Sequence, residues 1–271
     1  MFKRIMESIE HKIFTYNQRT NSNFNWKTHQ FSKKKYWEIG ESYVSYIRKS
    51  DGYPVKSFRD LVELTAQIAL WNRRYDIFFR GQIHDYKNRK DKTDIYPSIC
   101  RPGLNPNGTY KASIKTSTIE SRLQKLHSFI SFIDAQKRYL KRFEKRSTGF
   151  VENDYALVQH YEILPTPLID LTQSLRVAST FALKDSSYGF LYVIGLPYPH
   201  GSISYFIDYN IVLVKLQNSC PSNALRPRYQ EGYLVGRYPF TPYKAIGDNL
   251  ARRLLAKFYL DNSDGLFWDD L

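Results

Sequence analysis

The chain has 271 residues, of which 42% are hydrophobic and 16% aromatic, including 22 Tyr and 17 Phe. That is enough apolar material for one large core with extensions, and it excludes wholesale disorder. Lys plus Arg number 40 against 26 Asp plus Glu, a net charge of +14 that concentrates anions around the molecule. Nucleic acid is the expected large anionic partner; an acidic neutralising protein, or charge spread evenly for solubility, is the alternative. The 2 cysteines, Cys100 and Cys220, have neither the spacing of a metal knuckle nor that of a disulfide framework, so no metal is expected. No apolar run suits a membrane span or a secretion signal, so the expected location is cytoplasmic, with no membrane partner.

Residues 1–50 are polar and basic, with Lys33-Lys34-Lys35 and no sustained periodicity beyond a short opening helix, and are expected to form an extension wrapped on the core. Ser57 is a plausible N-cap for a helix bearing Leu61, Leu64, Ile68 and Trp71, which leads into a strand at Asp76-Ile77-Phe78-Phe79-Arg80. A Pro, Gly and Asn-rich loop over residues 101–110 precedes a long amphipathic helix, about Ser117 to Lys145. The basic end of that helix carries Lys137, Arg138, Lys141, Arg142 and Lys145 at three- and four-residue spacing. Most of these share a face that could meet phosphates, or they form a solvated last turn complementing the helix dipole.

Further along, a helix is expected over Asn153 to Glu162, a strand over Leu168 to Leu171 and a helix over Ser174 to Leu183. Strands follow at Gly189 to Leu196, Ser204 to Ile207, Ile211 to Leu216 and Gly232 to Gly236. A closing helix, Ile246 to Leu260, contains Leu250, Leu254, Leu255 and Phe258, and an acidic aromatic tail, Asp264 to Asp270, ends the chain. The tail either packs as a terminus, docks on a basic groove or presents a peptide to a partner. Helices first and strands late suggest an α+β fold with mixed, mainly antiparallel sheets and flanking helices.

The residues suited to chemistry fall in three segments. Arg80 ends an apolar strand before Gly81, a place where a ligand can approach the backbone and a guanidinium can pair with a phosphate. Asp170 and Thr172 lie two apart on a strand, hence on one face, beside the start of a helix where an anion is favoured; helix capping is the plainer role for either. His160 and Tyr161 pair an imidazole with an aromatic face, as a nucleoside site requires, or are simply core. Walker-type, Gly-x-Gly-x-x-Gly, zinc-ligand and Gly-x-Ser-x-Gly patterns are missing, which disfavours P-loop phosphoryl transfer, dinucleotide redox chemistry and serine hydrolysis.

Taken together, Phe79-Arg80-Gly81-Gln82, Tyr96-Pro97-Ser98 with Arg101, Gln159-His160-Tyr161, Pro165-Thr166, Leu168-Ile169-Asp170-Leu171-Thr172, Ala178-Ser179-Thr180-Phe181-Ala182 and Arg226-Pro227-Arg228 with Gln230 and Gly232 resemble the FRG domain family. The resemblance covers roughly residues 57–236 and leaves both ends outside it, so the expected organisation is a basic N-terminal extension over 1–50, an FRG domain over 51–240, and a C-terminal helix with acidic tail over 241–271. More distantly the same region resembles the ADP-ribosyltransferase superfamily. That likeness implies NAD as substrate, held by Arg80, with Asp170-Leu171-Thr172 standing where the superfamily has Ser-Thr-Ser. Gly81, His160, Tyr161, Asp170 and Thr172 would bind the nucleotide.

A carboxylate accepting from a ribose hydroxyl stabilises the oxocarbenium-like state in which the nicotinamide bond breaks. Glu231 is the choice by chemistry and Gln230 by family likeness, and since the two are expected to face opposite sides of a strand only one can point into the cleft. The implied activity is transfer of ADP-ribose from NAD to a macromolecule, nucleic acid slightly preferred, in a setting of toxicity or phage defence. The alternatives are a non-catalytic module that binds nucleic acid or a nucleotide, and a protein-interaction scaffold that recruits a partner through its acidic tail.

Overall fold

The computed structural model describes residues 6–25, 30–102, 113–139, 150–219, 225–240 and 245–269. The chain runs β1 (Ile13–Asn25), β2 (Gln30–Ser42), α1 (Val44–Lys49), β3 (Tyr53–Val55), α2 (Phe58–Trp71), β4 (Asp76–Gln82), α3 (Thr116–Tyr139), α4 (Val151–His160), β5 (Leu168–Thr172), α5 (Leu175–Ala182), β6 (Tyr188–Leu196), β7 (Ile203–Phe206), β8 (Ile211–Lys215), α6 (Leu216–Ser219), α7 (Arg226–Tyr229), β9 (Gly232–Arg237) and β10 (Leu254–Asp261). It is a mixed α+β protein with a mainly antiparallel sheet flanked by helices.

Most elements form where periodicity places them. Ser57 caps α2, its side chain accepting from the Asp60 amide at 3.1 Å, and Phe58, Leu61, Thr65 and Ile68 form the buried stripe. Two expectations are corrected. In the first fifty residues, where only a short opening helix is expected, β1 and β2 pair antiparallel from Ile13↔Ser42 to Asn25↔Gln30. The inward positions Ile13, Thr15 and Asn17 alternate as a strand requires, but two of the three are polar and hide the period from a hydrophobicity reading. The expected C-terminal helix is instead two 3-10 turns, Ala245–Asp248 and Leu250–Arg253, followed by the strand β10. β10 is buried on both faces, and its nearly continuous apolar run lacks the alternation that separates strand from helix.

Contacts divide the chain into two compact units, each discontinuous in sequence. The first comprises Met1–Glu7, Asp94–Ser174 and Pro197–Ala251. Its strands run in the order β5-β9-β8-β7, all antiparallel. Leu126 of α3 and Tyr155, Ala156 and Val158 of α4 form a core with Leu168, Val212, Val214 and Leu234.

The second unit comprises Ser8–Thr93, Leu175–Leu196 and Arg252–Leu271. Its strands run β3-β10-β6-β4, with β3 parallel to β10 and the others antiparallel. The acidic tail is part of its packing: Phe267 is buried, its carbonyl accepts from the Phe58 amide, and Trp268 lies 5.1 Å from the Phe58 ring.

Candidate functional site

In the second unit, Arg80 sits on β4 with alternate residues facing opposite sides. Gly81 faces α5, and a Cβ built there would lie 1.8 Å from the Ala178 carbonyl oxygen and 2.6 Å from the Ala182 amide nitrogen. At Gly189 on β6 a Cβ would meet the Ala182 carbonyl oxygen at 2.0 Å. The small residues of Ala178-Ser179-Thr180-Phe181-Ala182 and the two glycines thus let helix and sheet close on one another. The close approach at Gly81 is made by α5, whereas the sequence suggested a ligand.

Half-buried Arg80 therefore points to the other face of the sheet, as does Gln82, whose Oε1 is buried and has no hydrogen-bond partner among the described residues. Register aligns Arg80 with Tyr192 of β6 and Tyr192 with Lys257 of β10, a row of three polar side chains across three strands. Asp85, just beyond β4, joins them. Its Oδ1 accepts from the Tyr192 hydroxyl at 3.0 Å and from the Thr93 hydroxyl at 2.8 Å, and its Oδ2 accepts from Lys257 Nζ at 2.8 Å. Lys257 Nζ also donates to Thr93 Oγ1 at 2.9 Å.

The Lys257 and Asp85 side chains are 0% and 5% exposed, so the pair is withdrawn from water and held by hydrogen bonds. Burial lowers the Lys257 pKa, opposed by Asp85. The Tyr192 phenol is pushed up by burial and then by Asp85, while Arg80 pulls it down, which places a guanidinium charge beside this cluster.

The next row along the same face is Gln82, Phe190, Tyr259 and Pro54. Phe190, Tyr259 and Pro54 of this row line an open cleft of about 890 Å³ within the second unit. Trp37 and Gln18, register partners on the hairpin, also line it, as do Tyr46, Lys49, His84, Asp85 and Lys87. Lys87 is shared with Asp51 at 3.1 Å and Asp91 at 3.3 Å.

The other predicted residues belong to the first unit, where several family-motif side chains hold one another. Gln159 donates from Nε2 to Asp170 Oδ2 at 2.7 Å and accepts through Oε1 from the Thr166 hydroxyl. The Thr166 amide donates to Ser98 Oγ at 2.9 Å, and the Thr166 carbonyl accepts from the Ile99 amide at 3.1 Å. Thr172 Oγ1 donates to the Gln230 carbonyl at 2.6 Å and accepts from the Ser174 amide at 2.9 Å. Asp170 is exposed and Thr172 buried.

Gln230 and Glu231 are in a turn before β9 and not on the strand, so strand alternation does not choose between them. Glu231 is exposed and holds the left-handed conformation, φ 45°. Tyr161 follows α4 and is 60% exposed, so it is no core residue. The side chains of His160, Lys137 and Arg138, and all of Lys141, Arg142 and Lys145, lie outside the described residues, as does most of the loop over 101–110. Among the described residues no cluster of His, Cys, Asp and Glu could hold a metal, and no helix is long and apolar enough to cross a membrane.

The sequence reading missed Asp85, Tyr192, Lys257 and the cleft aromatics. A detectable signal was Lys257, a lone cation within Leu254-Leu255-Ala256-Lys257-Phe258-Tyr259-Leu260, because a cation in a buried strand requires a partner.

In the second unit the sheet thus brings Arg80 into register with Tyr192 and Lys257, whose side chains meet Asp85, and the aromatic residues of the cleft lie in the next row. Residues 76–188 match the family model described as FRG domain, and the chain carries an FRG domain over that stretch. The match takes in β4 and α5 of the second unit and α3, α4 and β5 of the first. No curated protein and no solved structure matches the chain.

Proposed function

We propose that the protein is an ADP-ribosyltransferase-like enzyme that uses NAD and modifies a macromolecule, with nucleic acid the favoured acceptor because of the net charge of +14. The observation that carries this reading is the position of Arg80 on the face of the β4–β6–β10 sheet opposite α5, in register with Tyr192 and in the row next to the cleft walls Phe190 and Tyr259. A guanidinium so placed pairs with a phosphate of a dinucleotide whose rings need aromatic surface. Within the first unit, Asp170 and Thr172, which bond to Gln159 and to the Gln230 carbonyl, are the candidates for a ribose, and His160 and Tyr161 for a nucleoside. Glu231, exposed in its turn, is the first unit's candidate carboxylate by chemistry.

Labelled NAD incubated with the purified protein and cellular RNA, DNA or protein tests the activity: covalent label and free nicotinamide are expected, and their absence with every acceptor contradicts it. Glu231→Gln should lower the rate about 100-fold with little change in KM. A non-catalytic nucleotide-binding module is the second reading. It is favoured by the bonds that already occupy Asp170 and Thr172, and it predicts NAD binding with no nicotinamide released.

A further inference from the structure

The cleft of the second unit contains none of the residues that the family likeness singles out, and most of its aromatic surface comes from outside the FRG match. Trp37 stands on the hairpin opposite Gln18, Tyr46 on α1, and Phe190 and Tyr259 on the sheet. The Phe190 and Tyr259 rings are 5.5 Å apart, and Tyr188 stacks on Tyr259 at 5.8 Å with 12° between planes, which holds the Tyr259 ring in place. Trp37 packs 5.1 Å from Tyr53, which fixes its ring. The mouth carries Lys49 and His84, with Lys87 shared between Asp51 and Asp91.

We propose that this cleft is the subsite for an adenine nucleotide, the base stacking on the aromatic rings that line it and the phosphate meeting Lys49 and His84. Every nucleobase has a face that stacks on aromatic rings. The choice of adenine comes from Gln18, because a glutamine amide pairs with the donor and acceptor adjacent on the adenine edge. A cleft of about 890 Å³ is within the size range of small-molecule sites and has room for more than the base alone. The proposal rests on the reading of the domain as one that handles a nucleotide, and it assigns the base-specific part of that site to segments outside the FRG match.

Calorimetric titration of the full chain with AMP tests it, with GMP and nicotinamide mononucleotide as comparison probes. AMP should bind more tightly than either, Tyr259→Ala and Gln18→Ala should weaken AMP about 10-fold, and Lys49→Glu, at an exposed position, should weaken AMP while sparing adenosine. Unchanged melting temperatures in Gln18→Ala and Lys49→Glu keep the result free of folding effects. AMP affinity indifferent to all three substitutions, or tighter binding of nicotinamide mononucleotide than of AMP, overturns the assignment even if the protein releases nicotinamide. AMP binding that depends on Tyr259 and Gln18 without any NAD turnover upholds the subsite and removes the enzymatic reading alone.

Discussion

Gly81 has no side chain because α5 takes the space where one would be, with the Ala178 carbonyl oxygen 1.8 Å from a built Cβ. Gly81→Ala should therefore cost about 3 kcal/mol through forced displacement of helix from sheet, read as a lowered denaturant midpoint; an unchanged midpoint would leave the packing account without support. The Asp85 and Lys257 pair calls for a different experiment. Asp85→Asn leaves a buried ammonium without its counter-charge and should destabilise by about 3–5 kcal/mol, whereas adding Lys257→Met should recover a large part of that loss. Additive losses in the double variant would contradict the pairing. Neither role was evident from the motif letters: Phe79-Arg80-Gly81-Gln82 reads the same whether the glycine meets a ligand or a helix. The partner of Asp85 lies 172 positions away, a separation that local pattern does not carry.

At the scale of elements, the chain order of strands and helices from Ser57 to Gly236 was legible because those segments alternate or recur with the period their geometry demands. Ser57 is an instance whose energetic value can be measured: Ser57→Ala removes the side-chain acceptor for the Asp60 amide and should cost about 1 kcal/mol in unfolding free energy. A loss near zero would mean that solvent replaces the cap at no cost. The strands at the two ends are hidden from pattern for opposite reasons. β1 places Thr15 and Asn17 inward, so a strand looked like polar linker, while β10 buries both faces, so a strand looked like a helix. Both errors bear on the candidate site, since Gln18 and Trp37 come from the hairpin and Lys257 and Tyr259 from β10.

Across the whole molecule, burial shifts several tyrosines the same way, which fixes the sign of an alkaline transition. Tyr16 is pushed up to about 12 by burial and then by Tyr53, and Tyr155 to about 12 by burial and then by the charges of Glu152 and Asp154. Between pH 10 and 12 the unfolded phenols ionise while these stay protonated, so the folded state binds more protons and stability falls as pH rises. Thermal melts across that window, with an ultraviolet titration of tyrosinate, should show melting temperature falling while these phenols stay un-ionised until unfolding. A flat profile would contradict the burial of both rings.

The functional account depends most on Arg80, and the initial rate of nicotinamide release from NAD by Arg80→Ala against the unsubstituted protein tests it directly. The rate should fall about 100-fold or more with the melting temperature retained. Nicotinamide released at an undiminished rate by the folded variant would contradict the assignment of this arginine, and with it the enzymatic site proposed on the β4–β6–β10 face.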